Sequence, residues 1–188
     1  MYQKFWTTLG IIAGIILILA VMTISQYNRP ITMKEAADAQ WAQVENQLKR
    51  RYELIPNLVE SVKGYAAQEQ EIFLGVAQAR KAYFSAEGAG GRARAASELE
   101  GALSRLLLLQ ERYPELKSNE NFLRLQDSLE GTENRISVER KRYNDQVRAL
   151  NTYVKTFPGM LFASLTGVGP SAYFEVSEAE QQAPKVKF

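Results

Sequence analysis

Acidic and basic residues interrupt an apolar stripe between residues 128 and 144. Leu129, Ile136 and Tyr143 recur every seven residues, the spacing that keeps one face of a helix against a neighbour. Glu133 and Arg140 fall on the same face. Carboxylates can act as general acids or bases, whereas a carboxylate beside an arginine can form an ion pair that fixes packing. The stripe therefore admits two interpretations, a pocket of acids or a structural polar layer.

The residue types that the chain lacks restrict its chemistry. Its 188 residues include no cysteine and no histidine. This excludes disulfides, thiol nucleophiles, the usual zinc sites and the commonest acid–base side chain near neutral pH. We therefore predict that the protein is not an enzyme and has no catalytic residues, metal site or cofactor. The net charge of +2 argues against nucleic acid as a partner, since the basic clusters have acids close by.

The charges on the stripe need partners, because an unpaired charge facing a core is costly. Such partners flank Pro56, where the preceding helix should bend. We predict a buried polar layer formed by Arg50, Arg51, Asn57, Glu130, Glu133, Asn134, Arg135 and Arg140. Its structural role would be to fix which helix faces which, and the alternative is a ligand-binding pocket. If Glu133 pairs with a buried arginine, its loss should cost about 3–5 kcal/mol.

Residues 5–24 carry no charge and are long enough to cross a bilayer as a helix. The stretch exceeds a signal peptide's apolar region and ends without a small-x-small cleavage site, which favours an uncleaved, single-pass anchor. Gly10 and Gly14 form a small-xxx-small pattern that predicts self-association, although glycine is also common in membrane helices. Membrane lipids and further copies of the chain are thus the predicted partners. Basic residues flanking the span differ by one and favour a cytoplasmic soluble domain.

Heptad spacing after the anchor predicts three long helices. The first runs to about Ser85 with apolar or aromatic residues at six of seven heptad positions. The second follows a flexible connection at 88–91, and the third carries a stripe from Phe122 to Phe157. The predicted fold is all-α: an N-terminal transmembrane helix followed by an antiparallel bundle of three long helices plus a short C-terminal helix.

Four segments follow from this pattern: a membrane anchor (1–27), a linker (28–31), a helical bundle (32–168) and an extended tail (169–188). The linker is placed where Pro30 should end the anchor helix and where Thr32 and Glu35 have capping-box spacing. The chain ends in APKVKF, in which apolar and basic residues alternate at strand period. This predicts a docking tail that uses Pro184, Val186 and Phe188, and the alternative is a disordered terminus.

Several stretches of the sequence resemble the LemA family of bacterial proteins, in the same order and at similar spacing. They are RYELIPNLVESVKGYA, LEGTENRI with the following RKRYN, FPGMLFASLTG, YFEV and the terminal APKVKF. The resemblance implies a membrane helix followed by a helical bundle at the bacterial inner membrane, without an established reaction. It also suggests links to envelope stress and membrane-protein quality control.

Residues and resemblance together predict a non-enzymatic, membrane-anchored helical scaffold that self-assembles at the bacterial envelope. The alternative is an adaptor for membrane-protein quality control or proteolysis, which would have a membrane protease or a stress-response protein as its partner.

Overall fold

A computed structural model of the chain describes residues 2–174, apart from the side chains of residues 2–5, 7 and 8. The described residues contain helices and no strand, which confirms the all-α fold class. In chain order the elements are α1 (Tyr2–Tyr52), α2 (Ile55–Lys63), α3 (Gln70–Ser85), α4 (Gly88–Leu107), α5 (Leu109–Arg112), a 3₁₀ helix (Pro114–Ser118), α6 (Glu120–Lys155) and α7 (Gly159–Thr166).

The chain divides into two compact units. Of the described residues, the first unit comprises 2–39 and 145–171, and it contains the N-terminal part of α1, the end of α6 and all of α7. The second unit comprises described residues 40–144 and 172–174, and it contains the remaining helices.

Pro30 lies inside α1 and does not end it. The predicted linker at 28–31 is therefore wrong, because these residues are helical. Thr32 does not cap a new helix either. Its hydroxyl donates instead to the carbonyl of Arg29, at 2.9 Å, in the preceding turn.

A proline in a helix interior removes the N–H that would bond to the carbonyl four residues earlier, which here belongs to Gln26. The hydroxyl of Tyr153, on α6, lies 3.1 Å from that carbonyl oxygen and 3.0 Å from the side-chain oxygen of Gln26. The guanidinium of Arg29 lies 5.3 Å from the centre of the same tyrosine ring. Tyr153 thus supplies a donor where Pro30 has removed one.

The first predicted long helix is interrupted twice in the second unit. The break predicted at Pro56 is present, since α1 ends at Tyr52 and Pro56 lies in the first turn of α2. A further break between α2 and α3 was not predicted. Six of the seven heptad positions nevertheless face the core, and the seventh, Glu69, is half-buried between α2 and α3. The buried residues are Trp41, Leu48, Ile55, Val62, Val76 and Tyr83.

Residues 88–91 were predicted as a flexible connection but belong to α4. Gly88 begins this helix with a φ of +67°, a conformation that glycine adopts without strain. Only Ala86 and Glu87 lie between α3 and α4, and the two helices pack against each other.

The stripe of α6 is confirmed over its helical part, where Phe122, Leu129, Ile136, Tyr143 and Leu150 are all buried. Within the second unit α1 and α6 run antiparallel. This follows because Gln40 donates to Glu139 at 2.6 Å, while Arg51, further along α1, donates to the earlier Leu129 carbonyl.

Two predictions near the C-terminus have different outcomes. Phe157 was wrongly included in the stripe, since it follows the end of α6 and is 79% exposed. The short helix expected after α6 is present as α7. Residues 168–174 have no regular secondary structure. Pro184, Val186 and Phe188 lie outside the described residues, so the docking tail stays a prediction.

The pairing of Pro30 with Tyr153 gives a test of local stability. We expect Tyr153→Phe to lower the stability of α1 around Gln26 by about 1 kcal/mol, because the Gln26 carbonyl then has no donor. In a Pro30→Ala background the same substitution should cost less, since the restored backbone N–H bonds to that carbonyl. Hydrogen exchange of the full-length protein in detergent, read by mass spectrometry, measures both effects. Equal losses in the two backgrounds would rule out compensation.

Candidate functional site

The guanidinium of Arg51 is buried near the end of α1, in the second unit. Its Nη2 donates to Oε2 of Glu100, on α4, at 2.7 Å. Its Nη1 donates to the carbonyl of Leu129, on α6, at 2.8 Å and lies 2.9 Å from Oε2 of Glu133. The fork of donors on one arginine therefore joins three helices. We call these four residues the Arg51 cluster.

The α6 side of the cluster is adapted to receive a donor from another helix. The Leu129 carbonyl accepts from Arg51 and also from the hydroxyl of Thr132, at 2.8 Å. Thr132 is buried at a position where the heptad would favour an apolar side chain. This polar interruption of the stripe is satisfied within its own helix.

The structure brings together only some of the residues predicted for the polar layer. Arg51 and Glu133 are in contact, and Arg140 is half-buried with its guanidinium 4.6 Å from the centre of the Phe174 ring. The other five are exposed, so their assignment to a buried layer was wrong: Arg50, Asn57, Glu130, Asn134 and Arg135. The three on α6 lie one or two positions away from the buried stripe, which places them on the solvent face.

Glu100 is a member of the cluster that the sequence analysis missed. Ala96, Leu99, Glu100 and Leu103 have the spacing i, i+3, i+4, i+7 of a buried helix face, and all four are buried. An acid within such a pattern must meet a partner from another helix. The periodicity of α4 was therefore a usable signal for a buried carboxylate opposite a basic residue.

Burial controls the electrostatics of the cluster. It raises the pKa of Glu100 above 4.5, and the attraction of Arg51 offsets only part of this effect. The nearby carboxylate of Glu133 raises that pKa further. Oε1 of Glu100 is buried and has no hydrogen-bond partner among the described residues. Two carboxylates share one guanidinium here, and Glu100 is the more deeply buried of the two.

Two tyrosines next to the cluster remain protonated near neutral pH. Burial raises the pKa of Tyr52 well above its usual range, and burial raises the pKa of Tyr83 to about 12. Their rings pack edge to face with centres 4.6 Å apart. Neither phenol can therefore serve as a base at neutral pH.

The geometry of the Arg51 cluster suits a role in helix packing better than a role in catalysis. The side chains of Arg51 and Glu100 are only 9% and 10% exposed, which leaves a substrate little access to them. Over residues 2–174 the structure places no three carboxylate side chains where they could hold a metal ion. Of the two interpretations of the charged stripe, the geometry favours the structural layer.

A second polar feature holds the chain that follows α7. In the second unit, the amide of Asn144 donates to the carbonyl of Phe174 at 3.0 Å and accepts from its N–H at 2.8 Å. The hydroxyl of Tyr143 donates to the carbonyl of Ala172 at 2.8 Å. The ring of Phe174 is buried, with its centre 5.9 Å from that of Trp41.

The first unit contains the same chemistry once more. The amide of Asn151 donates to the carbonyl of Ser171 at 2.9 Å and accepts from its N–H at 2.8 Å. We call each of these two-bond contacts an asparagine clamp. Neither clamp was predicted, because an asparagine on a helix carries no sequence signal for the backbone that it will bind.

The Arg51 cluster predicts an order of stability among three alanine variants. Arg51→Ala should cost about 3–5 kcal/mol, because it leaves the buried Glu100 without its partner. Glu133→Ala should cost less than about 1 kcal/mol, since its side chain is 41% exposed and Arg51 keeps two other contacts. This corrects the larger cost expected from the sequence for Glu133. Arg50→Ala is the matched exposed control, and denaturant unfolding of the full chain measures all three. A cost for Glu133→Ala equal to that of Arg51→Ala would contradict this order.

The raised pKa of Glu100 predicts a pH dependence. Since the folded protein binds this proton more tightly than the unfolded chain, the contribution of Glu100 to stability is complete below pH 4.5 and is lost as pH rises through the folded pKa. The unfolding free energy of wild type relative to Glu100→Gln should therefore fall with rising pH, by at most about 1.4 kcal/mol per pH unit. Denaturant titrations at a series of pH values measure the difference, with the exposed Glu98→Gln as control. A difference that grows with pH would show that the attraction of Arg51 outweighs burial.

Comparison with known proteins finds a matching family and several bacterial relatives. The profile of the LemA family matches residues 40–188. The magnetosome protein MamQ of Magnetospirillum gryphiswaldense is 28% identical over an alignment of 180 residues, and the match covers 82% of this chain and 66% of MamQ. Magnetosome proteins MamQ 1 and MamQ 2 of Paramagnetospirillum magneticum are each 27% identical over 181 residues, with the same coverage.

The chain spans just under two-thirds of the length of these relatives. The family match extends over the Arg51 cluster, both asparagine clamps and the motifs in which the resemblance was noted. The resemblance is thereby confirmed, and the chain belongs to the LemA family.

Proposed function

We propose that this protein is a non-enzymatic, membrane-anchored helical scaffold that self-assembles at the bacterial envelope. Membrane anchoring is supported by α1, in which a stretch of 18 residues is strongly apolar and none of these residues is buried. A helix of this length and composition can cross the hydrocarbon core of a bilayer. It is the one such helix in the part of the chain that the structure describes, which supports a single span. We propose the bacterial inner membrane as its location.

The side of the membrane that carries the soluble part is proposed from charge. Arg29 and Lys34 follow the apolar stretch, whereas Lys4 precedes it. Basic residues near a span favour the cytoplasmic side, so we place the soluble part there.

The observation that carries self-assembly is the open surface at Gly10 and Gly14. A Cβ added at either position would have no heavy atom within 4 Å. In a bilayer, two helices with small residues at this spacing can bring their backbones into contact and gain van der Waals packing that lipid chains do not provide. The same surface on each copy is complementary to itself, as a symmetric contact requires.

A role without catalysis is supported by how the chain uses its charges. The buried acid Glu100 is held by Arg51, and Arg51 also bonds to a backbone carbonyl of α6. These contacts occupy groups that a reaction would need to be available. The name of the relatives, magnetosome protein, states no reaction.

Self-assembly through the anchor is tested by enlarging its small residues. The double substitution Gly10→Leu and Gly14→Leu should lower the mass of the particle, because the larger side chains force two helices apart. Mass photometry of the full-length protein in lipid nanodiscs measures this, and Ala20→Leu is a control of the same kind on another part of the helix. An unchanged mass would remove the anchor from the interface.

The same preparation separates the scaffold from the adaptor. A homo-oligomer without other components supports the scaffold. A membrane protease or stress-response protein present in fixed ratio to the chain would instead support an adaptor in quality control or proteolysis.

A further inference from the structure

Helix α7 presents its large apolar side chains to the outside. Gly159 and Ala163 are buried, whereas Met160, Leu161 and Leu165 are exposed. On a helix of 3.6 residues per turn, Gly159 and Ala163 lie on one face, Leu161 and Leu165 lie on the opposite side, and Met160 lies on the flank between them. A helix that covers a core has the reverse arrangement, with its large apolar residues inside. From the sequence, the apolar residues after α6 predict a short helix that covers the bundle, with a segment that contacts the membrane or another subunit as the alternative. The exposure of Met160, Leu161 and Leu165 favours the alternative.

The position of α7 within the first unit is fixed by Tyr153. A Cβ added at Gly159 would overlap the carbonyl oxygen and the ring of Tyr153, so α7 begins in direct contact with that residue. The hydroxyl of Tyr153 in turn bonds to Gln26 on α1. Gln26 follows the last residue of the apolar stretch, Ile24, by only two positions. The start of α7 therefore lies at the level where the apolar part of α1 ends.

If α1 crosses a bilayer, the rise of the helix and the thickness of the headgroup region locate Gln26 relative to the membrane. Two residues of helix advance about 3 Å, and each headgroup region is about 5–8 Å thick. Gln26 then lies within the headgroup region. The eight residues of α7 extend about 12 Å, so a helix that lies parallel to the membrane plane at this level would keep its side chains near the boundary between headgroups and acyl chains.

The composition around α7 suits that boundary. Residues 156–174 include no charged side chain, although 23% of the whole chain is charged. Phe157 precedes the helix and is 79% exposed, and Leu165 near its end is 71% exposed. Exposed aromatic and aliphatic residues without nearby charge are costly in water but stable in the outer part of a bilayer.

We propose that α7, together with Phe157, is a second membrane contact that lies in the interface of the leaflet where the anchor ends. The partner of this surface is lipid, and the buried Gly159 and Ala163 hold the helix on the protein. The inference rests on the proposed membrane anchoring. It adds a surface that orients the end of α6 against the bilayer, which a single span alone does not do.

The experiment uses single spin labels on the full-length protein in vesicles of phosphatidylethanolamine and phosphatidylglycerol. Since the chain has no cysteine, each variant carries one reactive thiol. Leu161→Cys and Leu165→Cys report on α7, and Ile16→Cys reports on the span. Leu108→Cys is the matched control, because Leu108 is 62% exposed and is flanked by Arg105, Glu111 and Arg112.

The measured quantity is the accessibility of each nitroxide to oxygen, which concentrates in lipid, relative to a water-soluble nickel chelate. We expect this ratio to be higher at both α7 positions than at Leu108 and lower than at Ile16. Ratios at α7 equal to that at Leu108, with Ile16 in lipid, would overturn the inference and leave the anchoring intact. A low ratio at Ile16 would instead refute the anchoring. A third outcome is that labels at α7 are shielded from both reagents and that their spectra are broadened by a neighbouring label. This would show that α7 contacts a second copy of the chain and not lipid.

Discussion

The alignment of helices in the second unit depends on the guanidinium of Arg51. Apolar residues repeated every seven positions pack almost equally well when one helix is shifted by a repeat. A buried arginine removes that freedom, because Glu100 and the Leu129 carbonyl meet it in one alignment only. Compared with apolar residues of similar size, such a contact adds little net stability. Its contribution is to make the incorrect alignments costly.

The sequence predicts well those features that depend on the spacing of residues within one helix. Heptads placed the buried faces of α1, α2, α3 and α6, since burial follows from side-chain spacing alone. The continuation of α1 through Pro30 could not be predicted in this way. The carbonyl that Pro30 leaves without a donor is bonded by Tyr153, which lies far along the sequence. The cluster shows the same division. Arg51 and Glu133 followed from the interrupted stripe, whereas the choice of Glu100 depended on how α4 packs.

Both units satisfy backbone groups with side chains from a distant part of the chain. Tyr153 serves the carbonyl left by Pro30, and the asparagine clamps serve a segment that has no partner strand. This is an efficient use of polar residues in an all-helical protein, because regular helices have no spare backbone donors in their interiors. It also accounts for polar side chains on faces of α6 that would otherwise be apolar. Family membership fixes this architecture more closely than it fixes a biological role.

The clamp at Phe174 has a consequence for sequence divergence. Asn144 and Tyr143 recognise main-chain atoms of residues 172 and 174, so they impose no demand on the side chains at 172 and 173. Tyr173 is exposed, and only the ring of Phe174 is enclosed. Mutational drift at 172 and 173 should therefore be nearly neutral, while Asn144 should resist even replacement by aspartate, which cannot donate. We therefore expect homologues to carry different side chains at 172 and 173 and to keep the same hydrogen bonds between α6 and this segment.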